Sequence, residues 1–517
     1  MNKNLEPTVS VWMQTKSILD EMVLNADVEA DVCVIGAGIA GMTTAYLLLC
    51  EGKSVVLLDD GAIGGGQTQR TTAHLSNAID DRYVNIERWH GESGARLAAE
   101  SHTAAIDRVE AIVACEAIEC DFSRLDGYLF NASGESRVGL EQELQAARRA
   151  GLSLVEFASR CPWDHFDTGP CLKFPGQGQF HPLKYLAGLK QAILRRGGRM
   201  YTQTHVEKIE SGSRSRIVTT PGFTVTASSV VVATNTPFND LVTIHTKQAA
   251  YISYVMGFAI PPGSVAKGLY WDTLNPYHYV RLHSLPANES APNSQPMELL
   301  IVGGEDHKTG QADDAEERYA RIEAWTRERF PTAGNIRYQW SGQVMETIDG
   351  LAFIGRNPLD SPNVFIATGD SGQGMTHGTI AGILLTDLII GRENSWSALY
   401  DPARKTLRAA GRYVQENINV AMQFGAWVTG GDVSSVQAIA AGTGAVVRDG
   451  LKKVAAYRDP DGVLHQCSAV CPHLGCIVEW NRNESTWDCP CHGSRFDKEG
   501  RLICGPANSD LERVRIT

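Results

Sequence analysis

The sequence predicts an α/β fold built on a dinucleotide-binding βαβ unit, followed by a small module rich in cysteine and histidine. Two stretches carry this expectation. One is the run from Asp31 to Asp59, DVCVIGAGIAGMTTAYLLLCEGKSVVLLD; the other is a pair of short loops, CPHLGC (Cys471 to Cys476) and CPCHGS (Cys489 to Ser494). At 517 residues the chain has room for a large two-lobed unit and a small one besides.

In the first stretch an apolar run, Val32 to Ile35, enters Gly36-x-Gly38-x-x-Gly41. A helical stretch follows, and a second apolar run, Val55 to Leu58, ends in Asp59. Gly36 permits the tight turn, Gly38 lets the backbone approach a pyrophosphate, and Gly41 allows close helix packing, so the helix N-terminus faces the phosphates. Asp59 follows Gly36 by 23 residues, where a carboxylate accepts from ribose hydroxyls. In a chain with 50 glycines the alternative is a glycine-rich turn with no ligand, and the strand, helix and acid around the motif weigh against it. Gly442-Thr-Gly444 lacks the third glycine and the helix, which argues against a separate nicotinamide site.

In the paired loops, Cys471 and Cys489 offer two thiolates, and His473 and His492 offer two imidazoles. Thiolates on one iron and imidazoles on the other make a [2Fe–2S] centre with a higher potential than an all-cysteine cluster. Cysteine and histidine at short spacing also suit tetrahedral zinc. The stretch from Cys471 to Pro506, through CHGSRFDKEGR and CGPA, closely resembles the high-potential Rieske proteins of cytochrome bc-type complexes. That resemblance implies iron ligation by Cys471, His473, Cys489 and His492, a Cys476–Cys491 disulfide pinning the loops together, and a C-terminal all-β Rieske domain. One position departs from the pattern. Those proteins carry a serine and a tyrosine two residues apart that hydrogen-bond to the cluster sulfurs, whereas this chain has Ser494 and Phe496. Losing one donor stabilises the reduced state less, so a lower potential and an acceptor other than cytochrome c are expected.

Three further segments specify the larger unit. Phe180 to Glu210 reads as a helix opened by Pro182, a glycine stop and strands around Val206; Phe223 to Phe238 is a strand pair ending in Ala233-Thr234-Asn235. Near residue 360, NVFIATGDSGQGMTHGTIAGILLTDLI gives a buried strand, a glycine-rich turn and a long apolar helix. With TIDGLAFIG (Thr347 to Gly355), these resemble the D-amino-acid-oxidase and glycine-oxidase superfamily, patchily, over residues 28 to 395. The resemblance implies an α/β Rossmann-like FAD-binding domain with an interleaved α+β substrate domain whose sheet is antiparallel. It assigns FAD to Gly36, Gly38, Gly41 and Asp59, with adenine on the backbone of Val206. The flavin end falls to the turn from Gly369 to Thr376 (Gly369, Asp370, Gly372, Gly374, Met375, Thr376), and Arg70, Thr71 and Thr72 stand beside pyrophosphate and flavin. For the loop residues, ordinary turn chemistry is the alternative. His74 is a candidate for a covalent flavin link.

The expected boundaries are residues 28–90, 160–245 and 340–395 for the FAD-binding domain and 91–159 with 246–339 for the substrate domain. A helical connector takes 396–428 and the Rieske domain 429–517. Arg281 is a candidate fork for a substrate carboxylate, with Tyr279 or Tyr254 on the same surface. The alternative is that Arg281 pairs internally and the tyrosines pack as core. His307 reads as a structural histidine.

The net charge of −12 gives no footprint for nucleic acid or anionic membranes. No apolar run is long enough to span a bilayer and none near the start has signal-peptide character, so a cytoplasmic protein is expected. Of 12 cysteines, Cys33, Cys50, Cys115, Cys120, Cys161 and Cys171 are scattered and read as free thiols in a reducing compartment. The two cofactors, FAD and a [2Fe–2S] cluster, point to an enzyme that oxidises a C–N bond of an amine or amino acid. Electrons would pass singly through the cluster to an external acceptor, a protein or a quinone. The alternative is an electron-transfer component in which an outside donor reduces cluster and flavin. A Rieske oxygenase fits poorly, because no two-histidine, one-carboxylate iron site stands out.

Overall fold

The computed structural model describes residues 7–19, 21–132, 136–220, 222–240, 242–285 and 297–514. Strand Val28–Ile35 pairs in parallel with Val55–Leu58 on one side and Thr224–Val232 on the other. Val364–Thr368 and Arg199–Tyr201 extend the sheet in the same sense, and Phe353–Arg356 closes one edge antiparallel. Val55–Leu58 and Val364–Thr368 are buried throughout, as strands covered on both faces must be. The covering helices, Ile39–Cys50 and Gly374–Ile390, are apolar and cross closely. A Cβ on Gly378 or Gly382 would fall 2.6 or 2.5 Å from Ile39 or Thr43 side chains, so glycine sets that approach.

The second sheet runs Ile336–Thr347, Gln248–Ile260, Met297–Lys308, His278–Leu285, Leu269–Asp272, Ser123–Phe130, Cys171–Gln179 and His74–Leu75. It is largely antiparallel, with one parallel pairing between Leu269–Asp272 and Ser123–Phe130. Three expected segments contribute strands to this sheet against expectation, the first being 28–90, whose His74–Leu75 pairs with Gln179 and Gly178. Cys171–Gln179 hydrogen-bonds to Ser123–Phe130, so part of the 160–245 segment belongs to the second sheet. Likewise Ile336–Thr347 pairs along Gln248–Ile260 and carries that sheet past residue 340. The reason is register: each strand continues the ladder of its neighbour, and a ladder ignores the sequence gap between segments.

Residues 396–428 hold the short helix Ser397–Tyr400 and the amphipathic helix Ala410–Gln423. Beyond them lie a three-stranded sheet (Thr443–Asp449, Lys452–Arg458, Leu464–Ser468) and a four-stranded one (Glu479–Asn481, Thr486–Asp488, Arg495–Asp497, Leu502–Cys504), all antiparallel. Among the described residues no helix is long and apolar enough to cross a membrane.

Candidate redox site

Four parallel strands of the first sheet end at the wall of one cavity of about 630 Å³, lined by the residues that follow them: Gly36, Asp59, Ala233 and Gly369. A crevice at the carboxyl ends of parallel strands is where such sheets bind nucleotides, and the volume suits a large cofactor. Gly36 has φ +106° and a Cβ there would meet the Ala233 carbonyl oxygen at 2.5 Å, so only glycine makes this turn. Asp59 holds the loop in shape: Oδ2 accepts from the Ala37 N–H at 2.6 Å and Oδ1 from the Gly61 N–H at 2.8 Å. Gly38, Thr71, Thr72, Val206, Asp370, Gly372, Gly374 and Met375 also line the cavity. Gly41 and Thr376 stand behind the wall: Gly41 packs on Gly36, and the Thr376 hydroxyl accepts from the Ser76 N–H at 3.2 Å.

Beyond the glycine cradle the cavity reaches the second sheet, at Ser253, Trp271, Tyr277, Tyr279 and Asp306, with His74 and Asp80 facing them. Gly303 on the neighbouring strand makes room for the Tyr279 ring, since a Cβ there would fall 2.3 Å from it. Tyr279 and Ser253 share a hydroxyl hydrogen bond of 2.6 Å, and the Tyr277 hydroxyl donates to Asp80 at 3.0 Å. Burial pushes the carboxyls of Asp80, Asp306 and Asp370 up to about 6. The folded protein therefore holds these protons more tightly than the unfolded chain. Their stabilising contribution is full below the unfolded carboxyl range and is lost as pH rises through about 6. Asp306→Asn is thus expected to be more stable than the parent at alkaline pH, by on the order of 1 kcal/mol or about 2–4 °C, with the gain gone in acid. Thermal melts on both sides of neutrality check this.

Three sequence-based candidates are corrected. Arg281 is only 1% exposed and does not line the cavity. Its Nη1 donates to the carbonyls of Thr72, Ala73 and Phe180 at 2.9, 2.9 and 3.2 Å, so the guanidinium braces the 72–74 loop and is spent. Burial lowers its pKa to about 9, against a weaker opposing pull from the Asp121 carboxylate. Tyr254 is core, its hydroxyl 3.0 Å from His307 Nε2, which fixes His307 as a structural residue. His74 lies on the cavity but uses both ring nitrogens. Nε2 faces the Val280 carbonyl at 3.3 Å and must carry the proton, leaving Nδ1 to accept from Thr72 at 3.0 Å, an arrangement unsuited to a covalent link. Burial holds this imidazole neutral, with a pKa of about 3.

The two cysteine loops repeat one backbone geometry. Gly475 N–H donates to Cys471 O and Gly493 N–H to Cys489 O, each at 3.0 Å, while the Cys471 and Cys489 N–H groups donate to the carbonyls of Cys476 and Ser494, each at 2.8 Å. Both glycines have φ near +80°, the conformation that closes each turn. Cys476 and Cys491 are joined as a disulfide between the loops. Cys489 Sγ lies within 4.8 Å of both disulfide sulfurs; the oxidised pair offers no thiolate, so it covers the site without adding a ligand. Cys471 and Cys489 are buried, and the His473 and His492 rings stand 4.9 Å apart. His492 Nδ1 is buried with no hydrogen-bond partner, and burial keeps the ring neutral with a pKa of about 3. The neighbouring Cys489 thiol, the His473 and Leu474 N–H groups and the Ser494 hydroxyl favour thiolate at Cys471. Two buried thiols opposite two imidazoles, one with a bare nitrogen, fit a [2Fe–2S] cluster. Phe496 is fully buried and supplies no donor.

Residues without any spacing signal join this centre to the cavity. Gln343 lines the cavity, and its Nε2 donates to the Gly493 carbonyl at 2.8 Å, while Cys504 Sγ lies 3.5 Å from its Oε1. A Cβ on Gly493 would fall 2.3 Å from Ala250, so the cluster loop sits directly on the second sheet. His245 places its ring 4.8 Å from His473 and 5.9 Å from His492. Asn508 Nδ2 donates to the Val206 and Glu207 carbonyls at 3.0 and 2.9 Å, so the Rieske segment 502–508 closes the end of the cavity expected to hold adenine. Arg70 lines the cavity, but its guanidinium is held by Glu484 at 3.1 Å and by the Ser341 carbonyl at 2.9 Å, which makes it a clamp on the Rieske domain.

Residues 31–388 match the family model for FAD dependent oxidoreductases, and residues 427–515 that for the Rieske [2Fe-2S] domain. The chain is 31% identical over 513 residues to the Rieske 2Fe-2S iron-sulfur protein YhfW of Bacillus subtilis, covering 99% of this chain and 98% of that one. It is 27% identical over 400 residues to the gamma-glutamylputrescine oxidoreductase of Escherichia coli, covering 74% of this chain and 91% of the relative. Glycine oxidase from Geobacillus kaustophilus shares the fold at a TM-score of 0.57 and 18% identity, covering 73% of this chain and 99% of that one. The protein belongs to the FAD dependent oxidoreductase family, an FAD-binding enzyme that carries a Rieske [2Fe–2S] domain.

Proposed function

We propose that this enzyme is a dehydrogenase that oxidises a C–N bond of an amine or amino acid and hands the electrons, through the Rieske cluster, to an external acceptor protein or quinone. When bound, FAD supplies a two-electron acceptor and the cluster a one-electron carrier. The net reaction removes two electrons and two protons from H–C–N–H to leave C=N; water then splits the imine into a carbonyl compound and the free amine or ammonia. The observation that carries the reading is Gln343, which borders the cavity and bonds the cluster loop at Gly493, so one side chain spans the two sites. The gamma-glutamylputrescine oxidoreductase relative supports the C–N chemistry. Tyr277, Tyr279 and Trp271 would orient substrate and exclude water at the far end of the cavity. That aromatic chamber favours a substrate-oxidising enzyme over a pure electron-transfer component.

The test is anaerobic mixing with a panel of primary and secondary amines and amino acids, following flavin absorbance and the Rieske electron paramagnetic resonance signal together. A substrate should bleach the flavin first, with the reduced-cluster signal rising afterwards. A cluster that stays oxidised beside fully bleached flavin would rule the relay out.

A further inference from the structure

We propose that the substrate is a dicationic amine, a linear diamine or polyamine, and that the chamber selects against α-amino acids; this deepens the amine-oxidising reading above and rests on it. Recognition of an amino-acid carboxylate calls for a free guanidinium or ammonium on the wall. Among the described residues lining the cavity, Arg70 is the one arginine and there is no lysine. Its charge is already paired with Glu484, and Arg281 is spent on main-chain carbonyls. The wall carries carboxyl groups instead. Asp80, Asp306 and Asp370 all line the cavity, while the carboxyl of Glu346 is near enough for all three to raise its pKa.

Two features beyond the acid count point to a cation. The Ser253 hydroxyl acts on the Asp306 carboxyl, but its Oδ1 is buried with no hydrogen-bond partner and can accept from a donor in the cavity. Trp271, Tyr277 and Tyr279 supply aromatic walls at the same end, which suit an alkylammonium by cation–π attraction and cover its methylene chain. Glycine makes the acid's place: a Cβ on Gly372 would fall 2.1 Å from Asp80 Oδ2. One nitrogen of the diamine would then undergo oxidation, its carbon and nitrogen giving up two electrons and two protons to become the imine. The second, still protonated, would stay unchanged against Asp306 and Asp80.

The experiment compares anaerobic flavin bleaching by putrescine, butylamine, alanine and sarcosine in the holoenzyme and in Asp306→Asn. Putrescine should exceed butylamine, its equal in chain length, by about 30-fold or more in kcat/KM, the scale on which one desolvated charge pair acts. Asp306→Asn should lower the putrescine-to-butylamine ratio of kcat/KM by about tenfold or more. Faster bleaching by alanine or sarcosine than by putrescine overturns this inference and leaves the C–N oxidation standing. Equal rates for putrescine and butylamine in the parent overturn it too, whatever the variant does. Bleaching by nothing in the panel overturns both.

Discussion

Glu484→Ala should release the Rieske domain from the flavoprotein body and slow electron arrival at the cluster. Glu484 is 1% exposed and is the hub of the interface: Arg70 Nη1 donates to it at 3.1 Å, the Ser341 hydroxyl at 2.5 Å, the Thr8 N–H at 3.2 Å, and the Thr8 hydroxyl as well. Truncation leaves the partly buried guanidinium of Arg70 with Ser341 O and the Thr8 hydroxyl for partners among the described residues. Breaking a buried pair from one side costs about 3–5 kcal/mol, mostly for the charge left behind. The remaining polar ties are weaker. Arg482–Asp313 is largely exposed and contributes on the order of 0.5 kcal/mol, and Asn508 and Gln311 add neutral hydrogen bonds to Val206 and Pro490 carbonyls. Calorimetry should show the single transition splitting, with proteolysis in the 425–442 segment becoming faster. Flavin bleaching by substrate should persist while the cluster signal lags by about tenfold or more. A variant that keeps one transition and the parental lag would mean the clamp is not what holds the domains.

Gly41→Ala should give protein without bound flavin. The added Cβ would lie 1.9 Å from the Gly36 carbonyl oxygen and 3.3 Å from the Val34 side chain. Gly36 cannot retreat, because it already stands against Ala233 across the sheet. Relief has to come from the helix Ile39–Cys50, and shifting it carries the N-terminus away from the phosphate position. Overpacking of this kind costs about 1–3 kcal/mol in side-chain cores and more where both partners are backbone. The flavin-to-protein absorbance ratio after purification measures the effect. A full complement of yellow cofactor would show that the cradle does not depend on this contact.

Both cofactor cradles were legible because their geometry is written over short stretches. Turn glycines at fixed offsets, a carboxylate at the end of the next strand, and cysteine and histidine two or three positions apart each depend on neighbours in the chain, and the loops at 471–476 and 489–494 even repeat their hydrogen bonds. Ser494 and Phe496 could likewise be read as a donor present and a donor missing. Arg281 could not. Its sequence context offers an arginine on a strand among tyrosines, and nothing in that context says that the strand turns it toward the 72–74 loop.

The sequence by itself determined that this chain holds a dinucleotide on one βαβ unit and an iron–sulfur centre in one loop pair. Only the tertiary structure decided how the two meet, and which side chains line the cavity between them. Arg70 and Glu484 are separated by 414 residues, and Gln343 and Gly493 by 150. Asp80, Asp306 and Asp370 come from three separate segments. Contacts across such distances follow from sheet register and domain docking, which impose no periodicity on the sequence and so leave no mark to read there.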